Sequence, residues 1–316
     1  MDYEGSELNK VLVTGGAGFI GSHLVRTLLA RGDRVRVLDD FSTGRAENLA
    51  GIDGPFEMIV GDLRHPASVA TAVHGVDYIF HQAAFVSVPK SMIDPSLCYD
   101  VNVQGTANLL EAARQAGIQQ VVLASSAAVY GDSQDFPLRE AVELRPLSPY
   151  AASKQVDEIY AGMYTRAFGL PVVALRYFNV YGPRQSPDSD YAAAIPIFIR
   201  RLLEGKAPTV YGDGHQKRDF IFVADVVRAN LLAAECPQAA GQIFNVCTGL
   251  ETNLLDLLGT LAGIIPGAPE PQFGSPRPGD IFRSLGDPSR AELVLGFRAQ
   301  VGLAEGLYET VEWMRK

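Results

Sequence analysis

Cysteine is scarce in this chain: Cys98, Cys236 and Cys247 are the only three in 316 residues. Odd in number and widely spaced, they make neither a disulfide framework nor a zinc-ligand pattern, and they read as reduced thiols in a cytoplasmic protein. The five histidines, His23, His65, His74, His81 and His215, are equally scattered, so no metal site is expected. Basic charge is short as well. Lys and Arg number 27 against 36 Asp and Glu, for a net charge of −9, which argues against a nucleic-acid-binding face. Local arginines and helix ends can still receive an anionic ligand. No apolar run is long enough to span a bilayer, and the acidic start Met1-Asp-Tyr-Glu-Gly-Ser-Glu is not a signal peptide. There is no internal repeat and no low-complexity linker. What remains is a chain with 47% apolar residues, enough for a substantial core. Its length suits one large domain or two intimately joined ones.

Glycine is where the chain is informative. In Lys10-Val-Leu-Val-Thr-Gly15-Gly-Ala-Gly18-Phe-Ile-Gly21 an apolar strand runs into a glycine turn and then into a helix, Ser22-His-Leu-Val-Arg-Thr-Leu-Leu-Ala. Gly15 permits the tight turn. Gly18 lets the backbone approach a phosphate, and Gly21 lets the helix pack closely on the strand. The free N–H groups and positive dipole end of that helix then face a pyrophosphate. The next strand, Arg34-Val-Arg-Val-Leu-Asp39, ends in an acid 18 residues after Gly21. A carboxylate there accepts hydrogen bonds from an adenosine ribose and repels a 2′-phosphate, which favours NAD over NADP. Asp62, after Ile59-Val-Gly, makes a second acidic strand end. It can either accept from an adenine amino group or cap the next helix.

Strand and helix alternate through the first half. Candidate strands are Lys10–Thr14, Arg34–Asp39, Phe56–Val60, Tyr78–Gln82, Val121–Ser125 and Val172–Tyr177, with helices at Pro66–Val73, Ser96–Ala116 and Tyr150–Phe168. Several strands are apolar throughout, as expected when both sheet faces are covered. The pattern predicts an α/β protein: a Rossmann-type doubly wound parallel sheet with ligands at the carboxyl ends of its strands. After about residue 180 the chain becomes richer in proline and glycine, with shorter elements. The expected division is a dinucleotide-binding domain over 1–180 and a smaller α/β substrate-binding domain over 181–316, with about 220–247 returning to the first.

Two further segments carry chemistry. Val121-Val-Leu-Ala-Ser125-Ser126 delivers two hydroxyls to the carboxyl end of a strand. Tyr150-Ala-Ala-Ser-Lys154 lies on a helix started by Pro146 and Pro149, and its i, i+4 spacing puts the phenol and the ammonium on one face. A lysine ammonium and an oxidised nicotinamide both favour the phenolate, which suits a tyrosine acting as general base. Ser126 can then hydrogen-bond the reacting oxygen and relay its proton.

Gly-x-x-Gly-x-x-Gly, Asp62, His81-Gln-Ala-Ala84, Asn102-Val-Gln-Gly-Thr106, Ser126 and Tyr150-x-x-x-Lys154 occur in that order, and together they resemble the extended short-chain dehydrogenase/reductases. Later segments narrow the likeness. They are Leu175-Arg-Tyr-Phe-Asn179-Val-Tyr-Gly-Pro183-Arg, Tyr211-Gly-Asp-Gly, Arg218-Asp219-Phe, Asn245-Val and Arg277-Pro-Gly-Asp280. Over nearly its whole length the chain is similar to NAD-dependent UDP-hexose 4-epimerases. Ser87-Val-Pro-Lys90-Ser91, Arg184-Gln185-Ser-Pro187 and Tyr191-Ala-Ala-Ala-Ile-Pro196 place it nearest the subgroup acting on UDP-N-acetylglucosamine.

The resemblance implies a catalytic set of Ser126, Tyr150 and Lys154. It implies NAD contacts at Gly15, Gly18, Phe19, Ile20, Gly21, Asp39, Asp62, Leu63, Ala83, Asn102, Tyr150, Lys154 and Tyr177, with Asn102 also supporting the elements beneath the catalytic residues. Substrate contacts are implied at Ser87, Ser125, Ser126, Asn179, Ala193, Tyr211, Arg218, Arg277, Asp280 and Ser284. Within that set Tyr211 packs on the uracil, Arg218 and Arg277 clamp the diphosphate, Asp280 holds the ribose and Ser284 faces the sugar's C2′ substituent. The chemistry agrees: fork-shaped guanidinium donors match phosphate oxygens, and an aromatic face suits a flat base. The implied reaction is internal redox, with inversion at C4′ through a transient 4-keto sugar, on UDP-GlcNAc/UDP-GalNAc and UDP-Glc/UDP-Gal. A cytoplasmic homodimer without nucleic-acid, membrane or metal partners is expected.

Three alternatives stand beside this reading. Dehydratases on the same scaffold place an acid pair after the catalytic hydroxyl, where this chain has Ala127 and Ala128. UDP-glucuronate epimerases usually carry threonine where Asn179 stands. A non-catalytic NAD sensor has usually lost the tyrosine or the lysine, and both are present here. Val86 matches neither the lysine of many UDP-galactose epimerases nor the glycine frequent in the N-acetylglucosamine subgroup.

Overall fold

The computed structural model describes residues 9–188, 194–276 and 281–316. Its main sheet is built from Lys10–Thr14 (β1), Arg34–Asp39 (β2), Glu57–Val60 (β3), Tyr78–His81 (β4), Gln120–Ser126 (β5), Val172–Tyr177 (β6) and Ile243–Val246 (β7). The strand order is β7-β6-β5-β4-β1-β2-β3. The pairings of β1 with β2, β1 with β4, β2 with β3 and β4 with β5 are parallel, in a register that sets Val13 opposite both Val37 and Phe80. β1 buries every residue but its first, and β6 buries all six. Strands covered on both faces need no polar alternation.

The chain goes from β1 outward to β2 and β3, then returns to build β4 and β5 on the other side. The order therefore reverses beside β1, and such a switch point opens a crevice at the strands' carboxyl ends. This is the doubly wound Rossmann-type fold expected from the sequence. Helices Phe19–Ala30, Pro66–Val73, Gly105–Ala116 and Pro149–Phe168 alternate with the strands. Leu12, Ile79, Leu109, Leu110, Val121, Leu123 and Val172 form the centre of the core.

One expected element is broken. The stretch Ser96–Ala116 is not a single α-helix but Pro95–Tyr99, a π-helical turn Asp100–Gln104, and Gly105–Ala116. A side chain at Gly105 would stand 2.9 Å from the Leu63 Cβ, so the helix closes on Leu63 here. The wider π turn re-aims the residues on it, Asn102 among them.

By its contacts the chain forms two compact units. The first comprises the residues up to Ser125, Ser148–Leu175 and Asn230–Ile243; the second comprises Ser126–Leu147, Arg176–Ala229 and Phe244–Lys316. Within the second unit, Phe220–Phe222 pairs in parallel with Asn179–Tyr181, and Thr209–Tyr211 with Gln272–Gly274. Lys217–Arg218 runs between Thr252–Asn253 and Arg283–Ser284. Its own core gathers Val129, Tyr130, Leu138, Phe178 and Cys247. The buried Arg176 guanidinium lies 4.7 Å over the Tyr130 ring and donates to the Tyr130 hydroxyl at 2.8 Å, which in turn donates to Asn245 Oδ1 at 2.7 Å. Burial pushes the Tyr130 phenol up to about 12, so it remains a donor.

Candidate active site

The glycine turn follows from two steric facts and an uncapped helix end. Gly15 has φ +67°, in the left-handed region, and a Cβ there would stand 2.6 Å from the Ala83 backbone nitrogen. A Cβ on Gly21 would collide with the Gly15 carbonyl. Gly18 is the N-cap of the helix that begins with Phe19 and Ile20, and no side chain caps that end. Its N–H groups are thus left to an anion, as the dipole of the helix favours.

Asp39 sits at the end of β2, buried, with Oδ2 accepting from the Ala17 N–H at 2.8 Å and Oδ1 from the Phe41 N–H at 2.9 Å. Burial raises its carboxyl above the usual range, opposed by those two hydrogen bonds. Gly44 leaves room beside Oδ1, where a Cβ would stand only 2.7 Å away. Phe41, with φ +56°, is held in a conformation rare for an aromatic residue. Asp62 binds Arg64 through both carboxylate oxygens and takes the Arg64 N–H at 2.8 Å, and the guanidinium holds its carboxyl below the usual range. It does not cap the following helix, whose N-cap is His65. Leu63 is buried, and its carbonyl accepts from Asn108 at 2.9 Å.

Tyr150 and Lys154 lie one turn apart on Pro149–Phe168, which Ser148 caps by accepting from the Ala151 N–H at 3.1 Å. The Tyr150 N–H donates to Ser91 Oγ at 3.2 Å. Lys154 is buried, and its ammonium donates to Asp157 Oδ2 at 3.2 Å. Asn102 pins this helix to the chain after β4. Its Oδ1 accepts from the Phe85 N–H at 2.6 Å, while its Nδ2 donates to the Phe85 carbonyl at 3.1 Å and to Ser153 Oγ at 2.8 Å. Asn102 is therefore engaged on both sides of its amide. Ser125 is buried, and its hydroxyl proton goes to Glu158 at 2.6 Å. Ser87 caps the helix Val88–Ile93 by accepting from the Lys90 N–H, and Val86 beside it is exposed.

In the second unit, five residues singled out from the sequence line one cavity of about 280 Å³: Ser126, Tyr177, Asn179, Arg218 and Ser284. Strand register explains part of this, because Ser284 is the parallel partner of Arg218. The remaining described walls are Ala127, Ala128, Phe178 and Ile281. Ser126 Oγ accepts from the Ala128 N–H at 3.2 Å, which aims the hydroxyl as its strand ends. Arg218 donates to the Lys217 carbonyl at 2.9 Å and the Phe282 carbonyl at 3.3 Å. Tyr211 lines a second cavity of about 440 Å³, with Asp213, Gln216, Gly274, Pro276 and Phe282. Ala193, Arg277 and Asp280 lie outside the described residues.

The model of the NAD dependent epimerase/dehydratase family matches residues 11–247. The chain belongs to the NAD dependent epimerase/dehydratase family. It is 44% identical over 310 residues to a UDP-glucose 4-epimerase of Mycolicibacterium smegmatis, covering 97% of this chain and 98% of that one. A UDP-N-acetylglucosamine 4-epimerase from Methanobrevibacter ruminantium, solved with UDP-N-acetylmuramic acid, superposes with a TM-score of 0.94 at 38% identity, covering 98% of this chain and 99% of that one. A Thermus thermophilus UDP-glucose 4-epimerase in complex with NAD superposes with a TM-score of 0.88 at 42% identity, covering 97% and 99%. An NAD dependent epimerase/dehydratase requires an NAD cradle, and this chain's residues fit one: Gly15, Gly18 and Gly21 leave the turn bare, the helix behind it is uncapped, and Asp39 ends β2.

The sequence assigns no role to the groups that hold the chosen residues. His81 is buried between Thr14 Oγ1 at 2.7 Å and Thr106 Oγ1 at 2.9 Å. Burial, reinforced by the Lys154 charge, drops its ring to about 3, so it is neutral. Asp157 and Glu158 are the partners of Lys154 and Ser125. The signal available for Asp157 was its i+3 spacing from a lysine already of interest.

Proposed function

We propose that this protein is an NAD-dependent 4-epimerase of UDP-hexoses, an isomerase that inverts C4′ through a transient 4-keto sugar. Its substrates are UDP-GlcNAc/UDP-GalNAc and UDP-Glc/UDP-Gal. The first unit holds NAD through Gly15, Gly18, Phe19, Ile20, Gly21, Asp39 and the segment around Asp62, Leu63 and Ala83. When bound, NAD accepts and returns the hydride at C4′. Tyr150 takes the 4′-hydroxyl proton and gives it back. Lys154 supplies the positive charge that favours the phenolate, and Ser126 hydrogen-bonds the reacting oxygen. Asn179 and Arg218 bind the diphosphate side, joined by Arg277, while Tyr211 packs on the uracil and Asp280 holds the ribose.

One observation carries the choice of epimerisation over dehydration. The cavity holding Ser126 and Arg218 is walled by Ala127 and Ala128, and its described lining carries no carboxylate. Among those described residues proton abstraction at C5′ has no agent, whereas removal of the 4′ proton needs only the tyrosine. Separate incubation with UDP-glucose, UDP-N-acetylglucosamine and UDP-glucuronate, followed by NMR of the products, tests this. C4′ epimers of the first two are expected, and a 4-keto-6-deoxy product would overturn the reading. Mass spectrometry of the denatured protein should release NAD(H) rather than NADP(H), because the redox cycle closes within each turnover.

The protein works as a cytoplasmic homodimer in this reading. Among the described residues no helix is long and apolar enough to cross a membrane. Tyr99, Ile159 and Phe168 stand exposed on the helices Pro95–Tyr99 and Pro149–Phe168, supplying apolar surface for a second copy. Light scattering after gel filtration should give twice the 34.0 kDa chain mass.

A further inference from the structure

Lys154 does not stand alone in the first unit. Its ammonium is 3.2 Å from Asp157 Oδ2, and the two side chains are 3% and 1% exposed. The carboxylate is incompletely satisfied: Asp157 Oδ1 is buried without a hydrogen-bond partner. The Thr106 hydroxyl, which also meets the His81 ring, stands close to this carboxylate and favours its charged form, but it brings no charge of its own. A buried carboxylate with one idle oxygen is costly unless a nearby charge keeps it there, and Lys154 is that charge. The other groups facing Asp157 supply no second cation. They are Glu158 on its own helix, Thr106 and the Cys98 thiol, while the neutral His81 ring lies beyond Thr106. The ion pair is therefore nearly closed on itself, and whatever positive charge Lys154 presents elsewhere is what Asp157 leaves.

We propose that Asp157 is a positioning residue: it anchors the Lys154 ammonium and, as its counter-charge, sets how much of that charge favours the Tyr150 phenolate. This rests on the reading of Tyr150 and Lys154 given above. The helix fixes the geometry, since Tyr150, Lys154 and Asp157 stand at i, i+4 and i+7 of Pro149–Phe168 and so share a face. With the carboxylate present, the pair is close to neutral as seen from the tyrosine. With the carboxylate replaced by an amide of the same shape, a full ammonium charge remains.

The test is an ultraviolet difference titration of tyrosinate in the NAD-loaded enzyme, with the Tyr150 signal isolated by subtracting the matching Tyr150→Phe protein. In Asp157→Asn the Tyr150 phenolate should form about one pH unit lower than in the parent. The acid limb of the epimerisation rate should move the same way, and Asp157→Glu, which restores the charge, should move both back. A purely structural Asp157 would alter melting temperature and leave the titration in place, so superimposable titration curves overturn the proposal. If Asp157→Asn does not fold, Asp157→Ser removes the same charge with less bulk and is read by the same criterion. The spectroscopic arm does not depend on turnover. A phenolate that shifts while Tyr150→Phe remains fully active would sink the catalytic roles and leave the counter-charge proposal standing.

Discussion

The two units treat their candidate site residues differently. In the first, the chemistry-bearing side chains are tied to one another: Lys154 to Asp157, Ser125 to Glu158, Asn102 to Ser153 and Phe85, and His81 between Thr14 and Thr106. In the second, Ser126, Asn179, Arg218 and Ser284 border a cavity of about 280 Å³, and Ser126, Asn179 and Arg218 each bond a backbone group there. The first arrangement is set before any ligand arrives, which suits groups that must meet a reacting atom in one geometry. The second leaves volume and donors for the ligand to engage. Changes in the first unit should therefore remove activity, and changes in the second should redirect it.

The largest effect tests the first half of that contrast. Tyr150→Phe keeps the ring and removes only the hydroxyl, so the fold and NAD content should be preserved. The rate should fall by about a hundredfold to ten-thousandfold, as is typical when a general base is lost. Steady-state rates with cofactor content measured on the same sample check it; retention of more than roughly a tenth of the parent rate would move the proton transfer to another group. Gly21→Ala comes next. Its Cβ would meet the Gly15 carbonyl, so the turn must open. Purified protein should carry little NAD(H), and activity should return only in part when NAD is added in excess.

The same contrast explains how much could be read from the sequence. The Rossmann half is written in local signals. Apolar strands, a bare glycine turn and an acid at the end of the next strand are steric and hydrophobic statements, and β1, β2 and β6 fall at the residues expected. The i, i+4 spacing of Tyr150 and Lys154 is equally local. What escaped was non-local. The return of about 220–247 to the first domain was expected, but the strand Ile243–Val246 within it was not, because it joins the sheet beside β6 from almost 70 residues away and no pattern within its four residues announces that. The π turn at Asp100–Gln104 ends at Gly105, which closes against Leu63 about 40 residues earlier in the chain. Asp157 looks like any polar helix residue until burial at its face is known. Ser284 is implied by resemblance alone; its pairing with Arg218 gives it a physical reason to face the cavity.

A smaller effect probes the second unit. Ser284→Tyr fills part of the cavity wall that serine leaves open. The N-acetylated sugar nucleotides should lose about tenfold to two-hundredfold in kcat/KM, while UDP-glucose, lacking the acetamido group, is nearly unaffected. Comparing kcat/KM for the two substrates in one variant checks it. Equal loss on both would mean that Ser284 supports the strand rather than the specificity.

The smallest effect returns to the buried pair and concerns stability. Burial pushes the Asp157 carboxyl up to about 6 from its ordinary 3.8, with the Lys154 ammonium opposing the rise. A native value above the unfolded one means that the folded protein holds the proton more tightly between those limits. The stability this group contributes is therefore present at low pH and lost as pH rises through about 6. Asp157→Asn cannot titrate and shows no such loss. The melting temperature of the variant relative to the parent should thus rise between pH 5 and pH 7.5, by roughly 2 °C for a chain of this size. Calorimetry at the two pH values measures the difference directly. A relative shift in the opposite direction would mean that the native carboxylate is stabilised by Lys154 more than burial destabilises it, and that the idle Oδ1 finds a partner in solution.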